Sequence, residues 1–543
     1  MSGSDDTERR AFDPEALFEL KARVDAADVT LKASFPALDA ARRRYARTRS
    51  AADKETLDAA QEETRALFNE WKGLLTAMRA MLGITDDEIA EVEAARVGGS
   101  EQIPRAALTA DLIAPTADLW AQIGNAVDTI EALLPTGWLD EEPVDGARLD
   151  DLFGPDGVLS ITKGLRPESE APGIHRFRQA IYNARDYRDG HTAYDHFAGA
   201  TQASTVVQLA SQLENLGAVG GDVDGRLSRL WAGASAGVDG TILELFTAAA
   251  CAARGRKVSF LPETTEKSPD LACEDPFPLV IECKRQAPLS EYEVKEEALM
   301  RDLFFRLRQL ARTRGVAGVF ELRLTVEAKD LSLEDVAAAA FRQRLAAHPE
   351  RPLAYGWGAA AFRELPRRGV LTEETRAYSP TMLQTVFGWN TDLPEWDGLC
   401  CSIANARGGT VLDVQSPVGM LWSNAAESAM RKRTWAPVNL FLGATSQIPP
   451  GATGIVYVAY VEGARAEAAD MRVAAYQERL REWEHAGDIR VPISALCRLY
   501  PRPLEEGEPD LIESSIRLVS SEYGDPALFD DFPTNVFTQS DGD

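Results

Sequence analysis

The feature that most constrains this chain is a change of hydrophobic period at the loop Gly217-Ala-Val-Gly-Gly-Asp222. Before it, apolar residues recur every three or four positions, as an amphipathic helix requires. After it, short β-branched and aromatic runs alternate with helical stretches. In the first part Leu57, Ala60, Leu67, Trp71, Leu74, Met78 and Met81 fall on one stripe, and Gly83 stops it. Thr85-Asp-Asp-Glu88 has the form of a capping box. A further helix is expected over 116–134, turns over 135–175 and helix again over 176–216. In the second part KVSFL (257–261), LVIECK (279–284), GVAGVFELRLTV (315–326), GIVYVAYV (454–461), DIRVPISALCRLY (488–500) and SIRLVSS (515–521) read as strands. The expected fold is multidomain: an all-α N-terminal half, an α/β core and a further α/β C-terminal region. The boundaries that follow are a helical bundle over 1–135, a helical connector over 136–221, a core over 222–330 reaching to about 461 if its sheet continues, an α/β region over 331–522 and a loose acidic tail over 523–543.

With 543 residues, two to four domains are expected, and 45% hydrophobic content suffices for their cores. Six cysteines form no CxxC pair and histidine is scarce, which excludes a zinc ribbon and a disulfide framework. The polar, acidic N-terminus has no apolar signal region, and no apolar run is long enough to span a bilayer. A soluble cytoplasmic protein with no membrane association is the expectation. The net charge of -27 argues against nucleic-acid binding by the chain as a whole. From Arg254 to Arg314, however, 12 Lys/Arg face 11 Asp/Glu, a net of +1. No GxxxxGK[ST] motif is present, so ATP-driven work would need a partner.

The chemistry is concentrated in Thr241–Gln286, which reads helix, strand, strand, strand, with Pro269-Asp270 opening the second strand and Glu282-Cys283-Lys284 ending the third. Alternation along a strand sends Leu279, Ile281 and Cys283 to the core and Glu282 with Lys284 to the other face. The turn Glu274-Asp-Pro-Phe-Pro278 folds the third strand back on the second, so Asp270 meets Glu282. Two carboxylates suit a hard divalent cation such as Mg2+ or Mn2+, and a lysine beside them can orient or deprotonate a water.

This arrangement resembles the PD-(D/E)XK nuclease superfamily, the restriction-endonuclease-like fold, over about residues 238–325. The resemblance implies Asp270, Glu282 and Lys284 as catalytic residues. It implies Asp270, Glu282 and the backbone carbonyl of Cys283 as ligands of Mg2+ (or Mn2+). Glu244, on the preceding helix, matches a glutamate that often joins such sites; Thr241-Ile-Leu-Glu244 also has the form of a capping box, and both readings stay open. Glu263 is a weaker candidate. The activity implied is endonucleolytic hydrolysis of phosphodiester bonds in DNA, with prokaryotic restriction or antiviral defence as the setting by analogy. A non-catalytic nucleic-acid-binding or scaffold subunit, and an RNA-cleaving enzyme, are the alternatives.

Ser290-Glu-Tyr-Glu293 is a capping box opening a helix to about Thr313, with Leu299, Leu303, Leu307 and Leu310 as its buried stripe. Gln286 and the helix's Arg301, Arg308 and Arg312 are the candidate nucleic-acid contacts. Arg431-Lys-Arg433 with Trp435 is a second basic cluster at an expected helix end. His191 and His196 have no metal-ligand spacing and read as structural; Cys283 points to the core and is not a nucleophile. The helical N-terminal half is expected to mediate self-assembly or to bind a protein partner.

Overall fold

The computed structural model describes residues 51–81, 101–103, 117–139, 158–160, 175–188, 198–262, 268–275, 277–286, 290–376, 379–389, 396–401, 406–407, 410–462, 466–486, 491–502, 510–519 and 531–537, with isolated positions between 16 and 41. Glu263, His191, His196 and the Thr85–Glu88 segment lie outside the described residues. The chain divides into two units, Met1–Ser100 with Val144–Ala147, and Glu101–Pro143 with Arg148–Asp543. No helix among the described residues is long and apolar enough to cross a membrane.

In the first unit, helix α1 (Ala51–Met81) carries the expected stripe; Leu57, Leu67, Trp71, Leu74 and Met78 are half-buried and Thr64 is buried on the same face. The second unit begins with β1 (Glu101–Ile103), α2 (Ala117–Leu133), β2 (Leu159–Ser160), α3 (Arg176–Arg188), α4 (Ala198–Leu216) and α5 (Val223–Ala232). Then come α6 (Val238–Ala253), β3 (Val258–Phe260), β4 (Leu271–Cys273) and β5 (Leu279–Arg285). Helix α7 (Glu291–Arg314) leads to β6 (Gly318–Leu324), α8 (Leu333–Gln343), β7 (Leu353–Tyr355), β8 (Gly358–Glu364), β9 (Arg368–Arg376) and α9 (Pro380–Phe387). After β10 (Asp397–Cys401), β11 (Ala406–Arg407), β12 (Thr410–Gln415) and β13 (Val418–Asn424), the chain ends with α10 (Glu427–Thr445), β14 (Gly454–Val461), α11 (Ala466–Ala486), β15 (Ile493–Arg502) and β16 (Asp510–Val519).

The sheet that carries the motif has the order β16-β15-β14-β5-β4-β3. Its β3, β4 and β5 are antiparallel, whereas β5, β14 and β15 run parallel. One face packs on α2, α3, α4 and α6 through Val127, Ile181, Val206, Phe246, Ile281 and Tyr457. The other packs on α10 and α11 through Phe441, Val458, Tyr476 and Leu496. The helices α2, α3 and α4, over 117–216, therefore share the core of the sheet, and the expected boundaries at 135 and 221 fall inside one compact unit. The loop between α4 and α5 is pinned to the sheet edge: Gly220 N–H donates to the Val258 carbonyl, and the Gly220 carbonyl accepts from Phe260 N–H. Gly221 has φ +81°, and a Cβ there would stand 2.4 Å from the Phe260 carbonyl oxygen, so only glycine fits.

The strand expected over 315–326 does not complete this sheet. It is β6, which pairs with β8 and β13 in a second sheet of order β2-β10-β13-β6-β8-β7, while the neighbour of β5 is β14. A strand buried on both faces needs an unbroken apolar run, and all eight residues of β14 are buried. In β6, Glu321 is half-buried and Arg323 exposed. The core begun at α6 is thus interrupted after β5 by the second sheet, with α7 and α8 on one face and α9 on the other, and resumes at α10. The last element also departs from expectation. Instead of a loose tail, Phe532, Val536 and Phe537 are buried against the first core; Phe537 meets Phe246 edge-on, and Tyr457 Oη donates to the Pro533 carbonyl at 2.7 Å.

A candidate active site at the fork of two strands

The hairpin ladder runs Cys273–Leu279, Ala272–Val280, Leu271–Ile281, and its last rung is the Asp270 amide donating to the Ile281 carbonyl at 3.1 Å. There the two strands part. The next amide of β5, that of Cys283, finds a side chain in place of a backbone partner: it donates to Asp270 Oδ2 at 2.8 Å. That bond fixes the Asp270 carboxylate beside residues 282–284, where β5 leaves β4 but remains paired with β14. The expected alternation holds. Leu279, Ile281 and Cys283 lie in the core with α6, and Val280 packs in the core on the other face of the sheet.

Glu282 is 0% exposed. Its carboxyl pKa is pushed up to about 8, first by burial and then by the negative charge of Asp270, with Lys284 opposing. The half-buried Lys284 ammonium forms an ion pair with Oε1 of Glu282. Apart from Lys284, neither Glu282 oxygen has a hydrogen-bond partner among the described residues. Burial disfavours the charge on Lys284, but the attraction of Glu282 and Asp270 wins and holds its pKa above the ordinary lysine value. Gln286 is buried just beyond the end of β5; its amide donates to the Ala459 carbonyl at 2.9 Å and its Oε1 has no partner among the described residues.

Glu244 reaches the same fork from α6. That helix starts at Val238 after Gly237, and Thr241 Oγ1 donates to the Gly237 carbonyl at 3.1 Å from inside the helix, so the capping-box reading of Thr241–Glu244 is overturned. Leu243, Leu245 and Phe246 around it are fully buried, and a carboxylate among them needs a partner. The partner is Arg226 of α5, which forms an ion pair with Glu244, donates to the Leu261 carbonyl at 3.2 Å and lies 5.2 Å from the centre of the Phe260 ring. Burial, then the charge of Asp270, pushes Glu244 up to about 7 against the pull of Arg226 and Arg229. Arg226 was not foreseen. It precedes the motif on a short helix, and nothing in linear spacing ties it to Glu244.

The fork thus gathers Glu244, Asp270 and Glu282 within electrostatic reach of one another, with Lys284 and Arg226 between them. Mutual repulsion among three neighbouring carboxylates, one of them fully buried with a lysine as its single partner among the described residues, is what a hard divalent cation relieves. Among the described residues no three Asp, Glu, His or Cys side chains converge closely enough to hold an ion alone, so the donor set that fits is the Asp270–Glu282 pair with water and backbone oxygen. Burial raises the Cys283 thiol pKa well above its usual value, which leaves it inert as a nucleophile.

The other candidates are placed elsewhere. Helix α7 has the expected capping box: Ser290 N–H donates to Glu293 and Glu293 N–H to Ser290. Its buried stripe, Met300, Leu303, Phe304, Leu307 and Ala311, packs in the second sheet's core. Arg301 pairs with Glu297 at 3.1 Å, Arg308 is half-buried and Arg312 is exposed. The cluster at 431–433 is not a free helix end, since α10 runs through Pro437. Arg433 is buried between Glu296 and Asp397, Lys432 pairs with Glu327, and Arg431 with Glu427. No family model, curated protein or solved structure matches this chain.

Proposed function

We propose that the chain is a metal-dependent phosphodiesterase with a PD-(D/E)XK-type core that hydrolyses DNA. One observation carries the reading: the Cys283 amide ties the Asp270 carboxylate to the strand that bears buried Glu282 and its neighbour Lys284. An ordinary surface hairpin gains nothing from a fully buried, poorly hydrogen-bonded glutamate, because such burial costs stability unless a function retains it.

Asp270 and Glu282 would hold Mg2+ or Mn2+, with the Cys283 carbonyl and, when released from Arg226, Glu244. The ion would neutralise charge building on the phosphoryl oxygens and lower the pKa of a bound water. Lys284 would orient the attacking water and hold the proton balance of the site, its ammonium turning from Glu282 toward the attacking oxygen or a phosphate oxygen. Gln286, with an unmet carbonyl, aligns the lysine or the substrate. The acidic chain as a whole repels free duplex, so cleavage at physiological salt is expected to be slow without self-assembly or a protein partner supplied through the helical N-terminal half.

The test is cleavage of plasmid, linear duplex, single-stranded DNA and RNA with Mg2+ or Mn2+ against EDTA. Cleavage that needs metal and is lost in Asp270→Ala and in Lys284→Ala, with unchanged thermal melting, supports the reading. Undiminished metal-dependent cleavage by the double variant refutes it.

A further inference from the structure

Helix α7 leaves the candidate site almost at once, beginning at Glu291 after Gln286 has ended the pairing of β5. At 1.5 Å per residue, Glu291 to Arg312 spans about 32 Å. At its far end Arg312 and Arg314 are exposed, and Gly315 closes the helix at φ +59°. The β8–β9 turn folds against that end: Leu365 N–H donates to the Ala317 carbonyl at 3.1 Å, and the Arg367 guanidinium covers Gly315, where an added Cβ would lie 1.9 Å from its Nη2. Arg367 and Arg368 are exposed as well.

Two segments distant in sequence therefore bring Arg312, Arg314, Arg367 and Arg368 to one corner. Described ion pairs neutralise Arg301 and Arg306 earlier on the helix, yet include none of these four. The adjoining strands carry acids as well, among them exposed Glu364 on β8 and half-buried Glu321 on β6. A helix C-terminus favours nearby cations, which accounts for Arg312 and Arg314. It does not account for two more arginines contributed by a strand turn in a chain of net charge -27.

We propose that this corner is a clamp for the phosphate backbone of duplex DNA lying along α7 with its scissile bond at the β4–β5 fork. The proposal rests on the nuclease reading and adds the length and form of the substrate. Guanidinium groups match phosphate oxygens in pairs. A rise of about 32 Å equals roughly nine base pairs at 3.4 Å each, over which a duplex is stiff. A duplex engaged at the fork reaches the clamp only if it continues about nine or ten base pairs to that side.

The experiment is fluorescence anisotropy of labelled duplex DNA of 8, 12 and 20 base pairs, and of matched duplex RNA, in EDTA so that no cleavage occurs. Wild type is compared with Arg312→Ala/Arg314→Ala/Arg367→Ala/Arg368→Ala and with Arg342→Ala, an exposed control on α8. Four phosphate contacts contribute a slope of about -3.6 in log affinity against log salt, or about a 150-fold loss between 50 and 200 mM. The quadruple variant, melting like wild type, should lose that slope; Arg342→Ala should keep it, and the 8-base-pair duplex should behave like the variant. Equal affinity and slope in wild type and quadruple variant, equal binding of 8 and 20 base pairs, or binding of duplex RNA but not DNA overturns the clamp. Arginine-dependent binding without cleavage in Mg2+ or Mn2+ leaves the clamp standing and sinks the nuclease reading, so the two failures are distinct.

Discussion

Replacing Glu282 by glutamine should make the metal-free protein more stable while abolishing its activity. In the unfolded chain this carboxyl titrates near the ordinary value of 4.5, whereas in the fold it is pushed up to about 8 by burial and by Asp270. The folded state therefore binds more protons than the unfolded one between those values, and stability falls as pH rises from 4.5 to 8. At about 1.4 kcal/mol per tenfold change in a proton equilibrium, the full span corresponds to about 5 kcal/mol. Asp270, Glu244 and Lys284 share the titration, and roughly 2–3 kcal/mol is the expected gain for the single substitution at pH 8.5, with little gain at pH 5. Scanning fluorimetry in EDTA across that range would show Glu282→Gln melting a few degrees above wild type at pH 8.5 and converging with it at pH 5. Added Mg2+ or Mn2+ should raise the wild-type melting temperature and leave the variant's unchanged. A variant that follows the wild-type pH profile in parallel, or melts lower at pH 8.5, would refute the claim that the site stores unrelieved charge.

Arg226→Ala strands a carboxylate in an apolar helix face, and a loss of about 3 kcal/mol is expected in chemical denaturation; Arg226→Ala with Glu244→Gln should recover most of it. Phe537→Ala opens a gap beside Phe246 and should cost about 3–5 kcal/mol, visible as a lower denaturation midpoint. Gly221→Ala, which puts a methyl against the Phe260 carbonyl at positive φ, should lower stability by about 1–3 kcal/mol, and hydrogen exchange should rise at β3 if the pinned loop is what holds that edge.

The fork was legible because three local signals agreed: alternation in LVIECK, a proline-rich turn of the right length, and an aspartate one residue before the partner strand. The capping box at Ser290–Glu293 was equally plain, since its two hydrogen bonds are written in adjacent residues. What failed was long-range pairing. β6 and β14 are both good strands, each paired on both sides, and only the difference between an interrupted and an unbroken apolar run distinguishes the interior strand of the second sheet from the neighbour of β5. That signal is present in GIVYVAYV, all eight of whose residues are buried, but within its own segment it specifies a strand and not a partner. The Arg226–Glu244 pair and the buried seat of residues 531–537 gave no such warning, because each depends on a contact the chain makes far from its own neighbourhood. The acidic letters around Phe532 and Phe537 outweighed two aromatic anchors.

The separation of β5 from β14 also orders events during synthesis. About 170 residues intervene, and closing a flexible loop of that length costs about 4–5 kcal/mol in chain entropy. If the intervening sheet forms first, its ends, α7 and α10, deliver β14 to β5 as a short closure. Until residue 461 has left the ribosome, the strand bearing Glu282 and Lys284 is an unpaired edge, open to the wrong partner. Nascent chains shorter than that should carry every residue of the motif and no assembled site, which places the onset of activity, and the period of greatest aggregation risk, late in translation.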